Sequence, residues 1–348
     1  MNNIYDKIKG GLFGGAIGDA LGYPVEFLEA VSIFKKYGEF GICEYDLCDG
    51  MALISDDTQM TMFTAEGILR AKAKNGSPTD EEYIEEIYRA YIDWLATQSS
   101  KYDPNALSEC SALLGVKEMY SQRAPGNTCL SALGSGRCGT FENRLNNSKG
   151  CGGVMRIAPI AFLLGPNERI PLERIGMLCA RASAITHSHP LGYIPAAYLG
   201  FAIGSLMRGD VLIDAIVLAK EWVEEAFEES DYTGYFIELI EKAISLAEDA
   251  DIDDDLDAIV ALGEGWVAEE TVAIAVYCAL RHGDDFEGAI IASVNHSGDS
   301  DSTGAVTGNI VGALLGYSLI PEEYIADLEL TDELERLSRE LSDKSGIA

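Results

Sequence analysis

Strand signals are nearly absent from this 348-residue sequence. No alternating run of β-branched residues stands between turn residues, so a sheet is excluded as the organising element. Long apolar runs are missing too. None approaches the roughly 18 residues needed to cross a bilayer. Eight cysteines are scattered as Cys43, Cys48, Cys110, Cys129, Cys138, Cys151, Cys179 and Cys278, with no C-x-x-C pair. That spacing fits neither a zinc site nor a dense disulfide framework, and reduced thiols are expected. Basic residues are few. The chain has 25 Lys and Arg against 57 Asp and Glu, for a net charge of −32. Such a surface repels polyphosphate, which argues against nucleic-acid partners, and it attracts cations. The opening Met1-Asn2-Asn3-Ile4-Tyr5-Asp6-Lys7 lacks the apolar core and cleavage site of a secretory signal. A cytoplasmic protein with no membrane segment is expected. No repeat period or Pro/Ser-rich linker divides the chain. The expectation is one all-α domain over residues 1–348, with its motifs between about 8 and 318 and an acidic helical tail over 319–348.

What is abundant is glycine at regular spacing. Gly10, Gly14, Gly18 and Gly22 recur every four residues, and so do Gly304, Gly308, Gly312 and Gly316. On a helix each set forms one bare ridge. Glycine costs a helix interior up to about 1 kcal/mol per residue, so the ridges require a close neighbour. Two buried helices, near 8–22 and 303–317, are expected to bring the chain ends together. Further helices are expected over 56–74, 79–97, 171–185, 190–208, 211–229, 234–248 and 268–281, with a peripheral helix pair at 322–342. Thr79 and Glu82 have the spacing of a capping box. Residues 99–155 read as mostly loop.

Two acidic clusters precede helical runs. One is Ser55-Asp56-Asp57-Thr58 and the other Gly298-Asp299-Ser300-Asp301-Ser302-Thr303-Gly304. Hard divalent cations take oxygen ligands of these types. Helix N-caps use the same residues, so each cluster taken singly has two readings. Taken as a pair, they could hold two metal ions. Glu26 sits between apolar neighbours after Pro24. The small-residue loop Asn146 to Gly153 could offer backbone N–H groups to a phosphate, or be a turn that needs glycine. His187 and His189 stand one residue apart without a third His or a Cys, so ligand contact or structural hydrogen bonding is expected before metal binding. Asp249 to Asp255 mimics a calcium loop but has Asp254 where glycine is needed, and reads as a solvated acidic loop.

In order along the chain stand Gly14 to Gly22, Ser55 to Thr58, Ala124-Pro125-Gly126-Asn127-Thr128, Ser148 to Arg156, Thr186-His187-Ser188-His189-Pro190, Gly265-Trp266-Val267-Ala268-Glu269-Glu270 and Gly298 to Ser302. This ordered set resembles the ADP-ribosylglycohydrolases, including the dinitrogenase-reductase-activating type. The resemblance implies an all-α fold with a central cleft for two divalent cations, Mg²⁺ or Mn²⁺. It implies Ser55, Asp56 and Asp57 as one ligand group and Asp299, Asp301 and Ser302 as the other. Many relatives have Thr in the last position; here Ser302 is followed by Thr303, and either hydroxyl could serve. Glu26 matches an acidic residue that handles a proton. Asp19, Ser148, Gly150, Cys151, Gly152, Gly153 and His187 fall where ADP-ribose is bound, although many relatives have Asn in place of Cys151.

The implied activity is hydrolysis at the anomeric carbon of the distal ribose. The substrate would be ADP-ribosylated protein, on arginine or serine, or a small ADP-ribosyl ester. Paired Asp clusters also suit a two-metal phosphohydrolase, and a non-catalytic ADP-ribose-binding protein is the third reading. The intact Asp positions and Glu26 favour the enzyme.

Overall fold

The two glycine ridges meet face to face. In the computed structural model, which describes residues 4–103, 111–252 and 254–346, helix Ile4–Gly22 runs antiparallel to helix Ser300–Leu315. A Cβ placed on Gly10, Gly14 or Gly18 would overlap the carbonyl oxygen of Gly312, Gly308 or Gly304 in turn, and the converse overlaps are as severe. The bare backbone is therefore a packing surface, and the close approach offsets the helix cost of glycine. Asn309 Nδ2 crosses the pair to donate to the Gly11 carbonyl at 2.9 Å. Both helices are buried along almost their whole length.

The second ridge helix begins at Ser300, three residues before the expected start. The shift matters, because it places Asp301 and Ser302 in the first turn with Asp299 as the N-cap. Helix Asp56–Lys74 is built alike. Ser55 caps it, its hydroxyl accepting the Asp57 N–H at 3.1 Å, and both aspartates stand in its first turn. The capping and ligand readings of these clusters are thus compatible. Each helix start favours carboxylates, and together the two starts concentrate them.

Around this centre the chain is helical, with no β-strand among the described residues. Helix Asp80–Ser99 starts with the expected capping box, Thr79 N–H donating to Glu82 Oε2 at 2.7 Å. Its Ile84, Ile87 and Tyr91 are buried. Helices Leu172–Ala184, Pro190–Arg208, Leu212–Ala226, Thr233–Glu248 and Ala268–His282 match the sequence reading within about a turn. Five short helices do not appear in that reading: Ala30–Tyr37, Asn127–Gly134, Ala158–Leu164, Asp255–Leu262 and Phe286–Val294. Each is nine residues or fewer, too short for periodicity to separate from loop.

Two expectations need correction. Helix Pro190–Arg208 has 19 residues and a mean hydropathy of 1.3, long and apolar enough to cross a membrane. Its apolar length is wholly buried inside the fold, where other helices take the place of lipid. The tail is also not peripheral. Helix Thr331–Lys344 buries Leu334, Leu337 and Leu341 completely. Before it, the Glu329 carboxylate pairs with Arg123 at 3.0 Å and accepts the Ile54 N–H at 3.3 Å. The Arg123 carbonyl in turn accepts the Asp56 N–H at 3.0 Å. The tail therefore braces the loop that carries the first acidic cluster. The seven described cysteines are free thiols; Cys110, and Asp253 of the acidic loop, lie outside the described residues.

Candidate active site

A cavity of about 520 Å³ opens between the starts of the two capped helices. It is lined by Glu26, Asp56, Asp57, Asp299, Asp301 and Ser302, and on the facing wall by Gly150, Cys151, Gly152 and His187. All six acidic or hydroxyl residues are buried. Ser302 Oγ donates to Asp57 Oδ2 at 2.7 Å, joining the clusters. Glu26, Asp299 and Asp301 each offer an oxygen within 4.8 Å of the others. Glu26 thus belongs to the tightest carboxylate group, where the sequence reading sets it beside the ligands. Of the two neighbouring hydroxyls, only Ser302 lines the cavity. Thr303 Oγ1 points back to the Ser293 carbonyl at 2.7 Å.

These carboxylates lack a basic partner in the cavity lining. Burial, then Asp299, Asp56 and Asp19, push the Glu26 carboxyl up to about 9. Burial followed by neighbouring carboxylates also raises Asp57 and Asp301 well above the usual range. Asp56 is raised by burial first, against the Gly126 N–H that it accepts at 3.3 Å. Glu26 Oε2 is buried with no hydrogen-bond partner. A buried, uncompensated set of oxygens of this kind is what a divalent cation satisfies.

Other expected site residues stand behind the cavity wall. Asp19 does not line it. Its carboxylate accepts the Ser55 N–H at 3.0 Å, the Thr58 N–H at 3.0 Å and the Thr58 hydroxyl at 2.5 Å. Burial still lifts it to about 6. Asp19 is a positioning residue that fixes the Ser55–Thr58 turn from below. Ser55 Oγ accepts the Asp57 N–H as the helix cap, which leaves its second lone pair for an ion. Ser148 and Gly153 lie outside the lining. Ser148 Oγ accepts the Gly150 N–H at 3.3 Å, and the Cys151 N–H goes to the Trp266 carbonyl at 3.2 Å. Two amides of the glycine loop are thus already paired within the protein. A Cβ on Gly153 would overlap the Ser183 hydroxyl, so glycine is required there for packing.

His187 is held by a relay that the sequence does not reveal. Arg156 is fully buried, its Cζ 4.2 Å from the Tyr91 ring centroid, and its Nη2 donates to Thr186 Oγ1 at 2.6 Å. Thr186 Oγ1 lies 2.8 Å from His187 Nδ1. The other ring nitrogen, Nε2, faces the side of Gly150. Burial, then Arg156, lowers His187 to about 3, so the ring is neutral. His189 instead caps helix Pro190–Arg208 by accepting the Leu191 N–H at 3.0 Å. At the cavity edge Phe27 and Trp266 stack with ring centroids 5.7 Å apart. Nothing in the spacing of those two residues could announce the pair.

The all-α scaffold thus draws carboxylates from both ends of the chain into one buried cleft. Residues 1–347 match the ADP-ribosylglycohydrolase family, and the chain belongs to it. Its family and relatives are enzymes that cleave glycosidic bonds. It is 25% identical to an ADP-ribosylarginine hydrolase of Serratia proteamaculans, over 97% of this chain and 79% of that protein. It is 25% identical to an ADP-ribosylhydrolase of Dictyostelium discoideum, over 97% of this chain and 94% of that one. A solved structure titled an ADP-ribosylglycohydrolase-related protein complex has the same fold, with a TM-score of 0.59 at 22% identity, covering 99% of this chain and 100% of its own.

Proposed function

We propose that this chain releases ADP-ribose from an ADP-ribosylated protein by cleaving the bond at the anomeric carbon of the distal ribose. It does so with two divalent cations, Mg²⁺ or Mn²⁺, in the acidic cleft. The observation that carries this reading is the convergence of Asp56, Asp57, Asp299, Asp301 and Glu26 on one cavity beside the Gly150–Gly152 loop. Asp56, Asp57, Asp299 and Asp301 would hold the ions, with Ser302 and Ser55 supplying hydroxyl oxygens. When bound, such ions supply positive charge that orients sugar hydroxyls and eases proton loss from water.

The protein's own part is positioning and proton handling. Cleavage builds oxocarbenium-like charge on the ribose, the leaving group gains a proton and the attacking water loses one. Glu26, which lines the cleft, would move that proton. The carboxyl carries its proton in the bare site and is then set to donate. A dication beside it favours the carboxylate, set to accept. Asp19 holds the turn that aims Asp56 and Asp57. Neutral His187 turns its Nε2 toward the glycine loop, where the nucleotide would lie.

Arginine is the proposed acceptor. The Serratia relative's name specifies that linkage, and a net charge of −32 suits a cationic target surface. A hydrolysis panel of arginine-, serine- and O-acetyl-linked ADP-ribose tests this. Preferential release from arginine supports it; release only from serine or the ester moves the acceptor; and no release from any of the three with Mg²⁺ or Mn²⁺ present sinks the activity itself.

A further inference from the structure

Resting on the metal reading above, we propose that Cys151 is a metal ligand of the cleft. Its sulfur adds a soft donor to the carboxylate group, so the protein binds Zn²⁺ or Co²⁺ more tightly than Mg²⁺. Cys151 Sγ lies 2.7 Å from Asp299 Oδ2, and both residues line the cavity. Asp299 is one of the three carboxylates whose oxygens lie within 4.8 Å of one another. The second observation is Glu26, only 7% exposed, which lines the same cavity with its Oε2 lacking any partner. The thiol and the residue with the unpaired oxygen therefore line the same cavity, and both stand beside Asp299.

The backbone fixes the thiol there. The Cys151 N–H bonds the Trp266 carbonyl at 3.2 Å and the Cys151 carbonyl accepts the Val154 N–H at 2.8 Å, so residue 151 is pinned on both sides. Cys129 also lines the cavity but is turned to the Arg156 guanidinium, 3.2 Å from Nη1, and is not a candidate. Donor chemistry decides which ion gains. Mg²⁺ takes oxygen and dehydrates reluctantly, so a sulfur neighbour gives it nothing. Zn²⁺ and Co²⁺ accept sulfur, nitrogen and oxygen together. On ligation the S–H bond breaks, the S–metal bond forms and the proton passes to solvent.

The test uses full-length protein stripped with chelator and titrated with Co²⁺. The wild type is expected to show near-ultraviolet thiolate-to-cobalt charge transfer together with the weak visible bands of bound Co²⁺. Cys151→Asn should keep the visible bands and lose the charge transfer. By competition calorimetry its Zn²⁺ affinity should fall by roughly 10–100-fold, a range that loss of even outer-shell partners produces, with Mg²⁺ affinity little changed. Cys151→Ser, closer in size, gives the same comparison should the Asn variant misfold. Charge transfer absent from the wild type, or retained in folded variants, overturns the Cys151 assignment while leaving the oxygen site standing. No Co²⁺ binding at all overturns both.

Discussion

Ser302 Oγ donates a 2.7 Å hydrogen bond to Asp57 Oδ2 across a sequence separation of 245 residues. Each partner sits in the first turn of its own helix. The glycine contacts that press the Ser300–Leu315 helix against Ile4–Gly22 also fix where Ser302 stands. Asp19, on the first ridge helix, fixes the Ser55–Thr58 turn on the other side. The cleft is therefore built by the packing of the chain ends, and its carboxylates are aimed by backbone.

Asp301→Asn is expected to lower metal affinity and turnover together, because it removes a negative charge from the cluster. Calorimetric Mn²⁺ binding and steady-state release of ADP-ribose give the two readouts. EDTA should abolish wild-type turnover, and added Mg²⁺ or Mn²⁺ should restore it. Full activity in chelator would exclude the metal reading.

Gly308→Leu should destabilise the fold by overpacking, on the order of 1–3 kcal/mol or more. The added side chain must start where the Gly14 carbonyl already is. A urea midpoint reads the loss directly. An unchanged midpoint would mean that the ridges separate at little cost, contrary to the close contact found.

Much of this was legible because it rests on local signals. The spacing of glycines specified two ridges, and caps of the Ser55 and Thr79 type marked helix starts. Acids before apolar runs marked the clusters that meet in the cleft. What was not legible depends on contacts between distant residues. Nothing around Asp19 distinguishes a carboxylate that holds a turn from one that touches a ligand. Only the fold places Ser55 and Thr58 above it. The burial of Arg156 under Tyr91, and the bracing of Ile54 by Glu329, are likewise tertiary facts. Which of Ser302 and Thr303 faces the cavity was a matter of helical phase, and with the helix starting at Ser300 it is Ser302.

His187 should make the fold acid-sensitive. Its folded value of about 3 lies below the ordinary 6.5 because burial, then Arg156, oppose the charged ring. Below pH 6.5 the unfolded chain takes up a proton that the folded one refuses, so stability falls from pH 6.5 toward pH 3. At pH 5 the loss from this residue is about 2 kcal/mol. Comparison with His187→Gln separates it from the carboxylates. The wild type should lose more stability than the variant between pH 7 and pH 5. Equal losses by urea titration would mean that the ring protonates freely in the folded state.

Glu26→Gln should separate chemistry from binding. The substitution keeps the side-chain shape and removes the titrating group. Glu26 lines the cavity within 4.8 Å reach of Asp299 and Asp301, so two roles are open to it: proton carrier and ligand. If it is chiefly the proton carrier, kcat should fall by about 10²–10⁴-fold, the usual cost of losing an acid–base group. ADP-ribose affinity in Mg²⁺ should stay near that of the wild type. If it is chiefly a ligand, metal and ADP-ribose affinity should fall along with kcat, as expected for Asp301→Asn. Calorimetry and single-turnover rates on ADP-ribosyl-arginine protein, measured on the same preparation, distinguish the two. Normal turnover by Glu26→Gln would remove this residue from proton transfer and leave the water to be activated without a protein base.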